Sequence, residues 1–391
     1  MNEAVIVLAK RTPIGKIGGM FKELEPEYLA AQVIKEMISE TGICSEDIND
    51  VILGNTVGMG GNLARKSALL AGLPVEVPGV TVDRQCGSGL EAINIAARLI
   101  QSGAGDLYLA GGMESTSRAP WKVEKPLSLH SVIPPKMYTR ASFAPDFIGD
   151  PDMGIAAENV AESYNISKEE QDEFAFLSHQ KAIRSMQTGR FKDEIVPIPV
   201  QGKHHHSIQT EDECPRKDTT LEKINRLSPV FKNGGTVTAG NACPINDGAA
   251  IALLMSKSKA MEMGFNNYLI FVDSVSAGVD PHYLGTGPIP AVKKLLERNE
   301  LSITDIDIVE LNEAFASQVL ASIKELNVPI SKLNIGGGAI ALGHPYGASG
   351  AILITRLFTE MKRGEYKSGI ATLGIGGGQG LATLLKTPHK E

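Results

Sequence analysis

The chain has 391 residues, 42% of them hydrophobic and 21% charged, which is too long for one ordinary core and too apolar for a disordered polymer, so two domains are expected. A net charge of −7, a pI near 5.7 and the lack of a long basic run remove the attraction that nucleic acid or an anionic membrane surface would need. Forty-one glycines, gathered in a few loops, mark places where backbone turns tightly or approaches a ligand.

Ala4 to Ala9 is a short apolar run with no basic region before it and no cleavage site after it, so it reads as a first strand. SEDINDVILGN (45–55) places an acidic helix end before a buried strand. GVTVDRQCGSGLEAINIAARLIQSG then carries a short strand into a glycine-rich loop. A helix opens at Ser88-Gly89, with Leu90, Ile93, Ala97 and Ile100 on one buried stripe. A small-residue strand, DLYLAGG (106–112), follows. From Ala119 to about Gly235 the chain is richer in Pro, His and charge, with a helical stretch at 168–186, and reads as an insertion. Residues 234–264 regain strand and helix patterning and complete the first domain.

The same order then recurs. NYLIFVDSVSAGVD from residue 267 matches the first strand, and ITDIDIVELN (303–312) sets Ile306, Val309 and Leu311 where Ile48, Val51 and Leu53 stood. KLNIGGGAIALGHPYGASGAILITRLF repeats strand, glycine loop and helix, the helix opening at Ser349-Gly350 and burying a stripe of Ile354, Leu357, Phe358 and Met361. GIATLGIGGG (369–378) closes the series. Duplicated strand–helix alternation predicts α/β layers around mostly parallel sheets, with both glycine-rich loops at the centre of a pseudo-twofold molecule.

Four cysteines, Cys44, Cys86, Cys214 and Cys243, form no CxxC pair, which argues against zinc and a disulfide scaffold and fits a reducing compartment. No apolar run approaches the ~18 residues of a membrane span, and the expected location is the cytoplasm. His204, His205 and His206 stand together in a charged loop without a second ligand cluster, so no metal is expected.

Cys86 sits between a strand and a helix, where unpaired N–H groups and the helix dipole favour an anion and make a thiol a better thiolate; the plainer reading is a buried structural cysteine. His344 occupies the equivalent loop of the second half, which the pseudo-symmetry brings near Cys86, although a histidine before proline is by itself a loop residue. Asn312 ends a strand expected to be central, where ligands of α/β sheets collect; it either holds a water or carbonyl oxygen or caps the next helix. GIGGGQG (374–380) is followed by a strand pattern, so it suits an oxyanion hole better than a dinucleotide loop. CGSG lacks the leading glycine of a serine hydrolase elbow.

With Cys86 in QCGSGLEA, Asn312 in NEAFA and His344 in GGAIALGHPYGASG, joined by AGGMESTSRAP, GTVTAGNACPINDGAA and GIGGGQG, nearly the whole chain resembles the thiolase family of acetyl-CoA acetyltransferases and 3-ketoacyl-CoA thiolases. The resemblance implies a five-layered αβαβα fold of two pseudo-repeated halves, 1–120 with 236–266 and 267–391, and a loop domain, 121–235, covering the coenzyme A site. It implies a homodimer or homotetramer of fatty acid metabolism that binds no permanent cofactor and uses coenzyme A as substrate and product. It makes Cys86 the acyl carrier and His344 the group that activates its sulfur. With a water held by Asn312, His344 also polarises one thioester oxygen. The N–H groups of Cys86 and Gly376 form a second oxyanion hole, and coenzyme A lies near Arg216, Cys243 and Phe315.

Chemistry at a carbon next to a thioester needs a nucleophile, a stabilised enolate oxygen and an acid/base for the alpha proton. Ordinary thiolases take the third from a cysteine where this sequence has Gly374, and a related branch takes it from a cysteine where it has Ala314. Two activities are therefore in view. One is reversible acyl transfer, acyl-CoA and acetyl-CoA giving 3-ketoacyl-CoA and CoA, on short or medium chains, with Cys243 as a substitute acid/base where thiolases usually carry serine. The other is a CoA-thioester binder or slow thioesterase that has lost carbon–carbon bond chemistry. A ketoacyl synthase relative fits less well, because such sites use two histidines. Asp152-Met153 stands where many short-chain members have histidine, which argues against acetoacetyl-CoA as the preferred substrate.

Overall fold

The computed structural model describes residues 2–388 except 127, 129, 131, 132, 139, 202–205 and 365. His204 and His205 of the histidine run, and the side chain of His206, lie outside the described residues. Nine strands form most of one large sheet: β1 (Ala4–Arg11), β2 (Asp50–Gly54), β3 (Gly79–Val82), β4 (Leu107–Ser115), β5 (Asn246–Ser256), β6 (Leu269–Gly278), β7 (Ile308–Leu311), β8 (Ser368–Ile375) and β9 (Gln379–Lys386). Their spatial order is β3-β2-β4-β5-β1-β6-β9-β8-β7. β4, β5 and β8 are buried at every position, as strands covered on both faces must be.

The duplication is visible in this order, β1, β2, β4 and β5 of one half answering β6, β7, β8 and β9 of the other. The halves join where Val5 pairs with Ile270 and Ile6 with Leu269. The expectation of mostly parallel sheets is not met, since only β2–β3, β2–β4 and β7–β8 are parallel. A parallel neighbour needs a crossover, whereas β8 and β9 are joined by Gly376, Gly377 and Gly378 alone, a turn that can only reverse the chain. The strand expected before the second glycine-rich loop shrinks to one bridge, Leu333 to Val309.

Helices α1 (Pro26–Thr41) and α2 (Leu63–Leu70) cover the outside of the first half, and the later pair, α6 (Pro288–Arg298) and α7 (Ala316–Leu326), the outside of the second. Between the halves run α3 (Ser88–Ser102) and α8 (Tyr346–Lys362), giving α, β, α, β and α layers. A Cβ on Gly350 would stand 2.5 Å from the Leu90 nitrogen, so glycine is what lets these two helices touch. α3 shows the expected stripe of Leu90, Ile93, Ala97 and Ile100, but α8 is buried on every side from Gly347 to Met361 because strands of both halves pack on it. The insertion contributes α4 (Met153–Ser163) and α5 (Lys168–Gln187), the latter opened by a Ser167–Glu170 capping box.

Buried charge fastens the insertion to the core. Arg11, fully buried, donates to Asp212 at 2.7 Å and Glu194 at 2.8 Å, and Arg356 donates to Glu194 and Glu360 at 2.5 Å each. The two guanidinium groups flank the Phe191 ring, with centroid distances of 5.2 and 4.6 Å. Among the described residues no helix is long and apolar enough to cross a membrane.

Candidate active site

The loop before α3 is built to present one side chain. Gln85 holds φ at +48°, a left-handed conformation that side chains rarely adopt, and local bonds fix it there. Asp83 Oδ1 accepts the Gln85 N–H at 2.8 Å, while the Ser88 hydroxyl donates to the Gln85 carbonyl at 2.6 Å and accepts the Arg84 N–H at 2.8 Å. Cys86 follows this elbow. β3, which leads into it, is a partly exposed edge strand rather than a buried one, with Val80 43% exposed.

Burial pushes the Cys86 thiol up to about 11, against the pull of the Gly376 and Cys86 N–H groups, with Glu114 and Asp83 adding to the rise. The expectation of a ready thiolate at a helix start is therefore corrected. The local N–H groups favour the anion as anticipated, but desolvation outweighs them. The Gly376 N–H does face this sulfur, as the glycine loop suggested.

His344 is 2% exposed and is held at three points. Its N–H donates to Asn246 Oδ1 at 2.9 Å, and Nδ1 lies 2.6 Å from the Ser349 hydroxyl. That hydroxyl donates to the Pro345 carbonyl at 3.1 Å, so its oxygen accepts the Nδ1 hydrogen and leaves Nε2 as the free base. Asn312 Nδ2 approaches Nε2 at 3.4 Å. Burial holds the imidazole down at about 4, hence neutral at pH 7. The Tyr346 ring stands edge-on, 5.1 Å from that of His344, and its hydroxyl is raised by burial and by the nearness of Cys243, Cys86 and Glu114. Tyr346 thus ties the histidine to both cysteines.

Asn312 is buried and turned toward His344; the helix that follows starts at Ala316, with Phe315 at its N-cap and no side-chain cap bond, so the capping alternative falls away. β7, which ends one residue before Asn312, closes one end of the sheet rather than lying at its centre. Cys243 donates its N–H to the Ala314 carbonyl at 3.0 Å, and burial, reinforced by Cys86, raises its thiol far above the usual range. Ala242 pairs with Phe315, which is half-buried and meets Phe231 edge to face at 6.2 Å. Arg216 is exposed, its N–H 3.4 Å from His179 Nδ1, and two residues earlier Cys214 accepts from Asn246 at 3.2 Å, which brings this segment to the His344 loop. At Gly374 a Cβ would stand 2.9 Å from Gln318 Nε2 and 3.2 Å from the Leu284 carbonyl, so an amide lies where thiolases carry a thiol.

Sequence reasoning missed Tyr346, Ser349, Asn246 and Gln318, and also Phe143, whose ring lies 2.8 Å from where a Gly376 Cβ would be. Ser349 and Tyr346 could have been suspected from their place on the first turns after His344. Phe143 carries no signal, since it reaches the glycine turn from the insertion. Among the described residues no group of three His, Cys, Asp or Glu is arranged to hold a metal ion.

Two central helices in a duplicated five-layered α/β molecule, one opening after a cysteine and the other after a histidine, make up the thiolase fold. Residues 4–258 match the family model described as thiolase, N-terminal domain, and residues 267–387 that described as thiolase, C-terminal domain; the chain belongs to the thiolase family. It is 51% identical over 386 residues to the "Putative acetyl-CoA C-acetyltransferase VraB" of Staphylococcus epidermidis, covering 99% of each chain. Over 384 residues it is 50% identical to the protein of that name from Staphylococcus aureus, covering 98% of this chain and 99% of that one. The crystal structure of the Bacillus anthracis acetyl-CoA acetyltransferase superposes with a TM-score of 0.94 at 39% identity, covering 99% of both chains.

Proposed function

We propose that the protein is an acetyl-CoA C-acyltransferase that carries the acyl group on Cys86. The observation that carries this reading is the Cys86 sulfur set against the Gly376 N–H, with a neutral His344 whose Nε2 is free in the same Tyr346-centred cluster. A neutral thiol and a neutral imidazole are the right ground state for a concerted attack. As sulfur bonds to the thioester carbon, Nε2 takes the thiol proton, the Cys86 and Gly376 N–H groups hold the oxyanion, and coenzyme A leaves with the proton. In the second half-reaction Asn312 and His344 hold the enolate oxygen of acetyl-CoA as its carbon attacks the acyl group. Arg216, Cys243 and Phe315 line the approach of coenzyme A under the insertion, with no permanent cofactor. Exposed Leu69, Leu70, Val75 and Val80 beside edge strand β3 support a homo-oligomer.

Incubation with acetyl-CoA should add one acetyl mass to the peptide containing Cys86, and equal labelling of Cys86→Ala would refute the assignment. A second reading, a slow thioesterase or CoA-thioester binder, is favoured by the same two facts: Gly374 offers no thiol, and burial leaves Cys243 a poor base. CoA-dependent cleavage of acetoacetyl-CoA, measured beside free acid release, separates the two.

A further inference from the structure

A cavity of about 20 Å³ lies behind the histidine, lined by Glu310, Asn312, Ser349, Leu353 and Arg356 among others. Its walls follow from the two elements that make them. Glu310 and Asn312 are two residues apart on one chain direction and project to the same side. Ser349, Leu353 and Arg356 recur at spacings of four and three on one face of α8. Two buried polar atoms here lack a partner among the described residues, the Glu310 oxygen Oε1 and the Arg356 Nε–H, on side chains that are 1% exposed. The other guanidinium nitrogens of Arg356 are already committed to Glu194 and Glu360. A cavity of this size exceeds the ~10–15 Å³ that one water needs, and the unpartnered donor and acceptor on its lining residues are the partners such a water would take. Ser349, on the same wall, is the residue 2.6 Å from His344 Nδ1.

We propose that Glu310 is the far end of a proton relay to His344, running through the Ser349 hydroxyl and one water in this cavity. The relay rests on the acyl-transfer reading, and supplies the acid/base that Gly374 lacks. When Nε2 takes the alpha proton of acetyl-CoA, Nδ1 gives its proton to the Ser349 oxygen. Ser349 turns its own hydrogen from the Pro345 carbonyl to the water, and the water passes one to the Glu310 carboxylate. The net result is an enolate, a protonated Glu310 and a neutral His344 in its other tautomer; the reverse flow protonates the carbon in the other direction. Glu310 is a positioning residue, since it acts only through His344.

Its surroundings suit the task. Burial raises the Glu310 carboxyl to about 8; Arg356 pulls it down, and Glu360, Glu194 and Glu313 push it up. Lys181 and Arg190 are the further cations that feel its charge. A proton acceptor poised near the working pH is the most effective general base. The plain alternative is a carboxylate that only offsets Arg356.

The test measures two quantities on the full chain, acetylation of Cys86 by mass and washout of alpha hydrogen from acetyl-CoA in D₂O. Glu310→Gln should keep acetylation, slow alpha exchange by ~10²-fold or more, and flatten its pH profile between pH 6 and 9. Ser349→Ala should flatten the profile in the same way, and Glu310→Asp should keep part of the exchange. Normal exchange in Glu310→Gln overturns the relay, as does slowed exchange with an unchanged pH profile, which a purely structural role would give. Wild-type protein that acetylates Cys86 but exchanges no alpha hydrogen also overturns it. Wild-type protein that fails to acetylate Cys86 refutes the acyl-enzyme reading itself, and the relay with it.

Discussion

The reactivity of Cys86 in the free protein should climb with pH without a plateau at neutrality. Burial lifts its thiol from 9.0 to about 11, and His344 does not reverse this, because it is itself held near 4 and cannot serve as an imidazolium partner at pH 7. A raised pKa means the anion appears only as pH approaches it. At pH 7 the thiolate fraction is ~10⁻⁴, about a hundredfold below that of a thiol at 9, and it should rise about tenfold per pH unit to pH 10. The assay is iodoacetamide labelling of the Cys86 peptide from pH 6 to 11, followed by mass spectrometry, with Cys86→Ala as background. A flat, fast rate from pH 5 to 8 would mean that a thiolate–imidazolium pair exists before substrate arrives. That result would refute the argument that desolvation outweighs the helix start and the Gly376 N–H.

Gly374→Cys brings a Cβ to 2.9 Å from Gln318 Nε2 and 3.2 Å from the Leu284 carbonyl, so the amide must swing aside; a stability loss of about 1–2 kcal/mol is expected. With the Glu310 relay already moving the alpha proton, CoA-dependent cleavage of acetoacetyl-CoA should change little, and a rise of ~10²–10⁴-fold would show that the acid/base was missing. Cys243→Ser should leave turnover intact, since burial keeps that thiol protonated; lost turnover with Cys86 still acylated would restore it as the proton carrier. Arg11→Met leaves buried Asp212 without its cation and takes one of the two guanidinium partners of Glu194, and should cost about 3–5 kcal/mol, read by denaturant unfolding, while a loss under 1 kcal/mol would show that Arg11 is not the fastening.

The parts of this molecule that sequence makes legible are those where backbone geometry leaves no choice of residue. The duplicated order of strand, glycine loop and helix survives in the structure, because α3 and α8 approach too closely for a side chain at Gly350, and β8 must turn to β9 through Gly377 and Gly378 with φ near +80°. Strand direction left no such mark, and neither did the burial of α8 on all sides, since a stripe of Ile354, Leu357, Phe358 and Met361 looks the same whether the opposite face meets water or a second set of strands. The sign of the Cys86 shift was illegible for a related reason. A helix start is local, whereas desolvation depends on the insertion and on β8, both far away in the chain. Glu310 offered nothing at all to a reader of IVELN beyond a charged residue in an apolar strand.

The position of α8 connects these points. Because it lies between the two halves, the residues at its start adjoin the Cys86 and His344 loops while those further on face a closed interior, and both consequences are electrostatic. At its start, burial keeps His344 neutral and its Nε2 available, with Ser349 one turn further on fixing which nitrogen is free. Deeper in, the same helix carries Arg356 into a place where Glu194, Glu360 and Glu310 converge, which is tolerable only because charges of both signs meet there. Glu194 also takes a bond from Arg11 and Glu360 one from Arg190, so two of these three carboxylates have two guanidinium partners each. Glu194 and Glu360 receive direct guanidinium bonds and Glu310 receives none. Glu310, the one of the three that shares a cavity wall with Ser349, is therefore the carboxyl that exchanges its proton near neutral pH, and a helix recruited to pack two halves together thereby sets a titratable group behind His344.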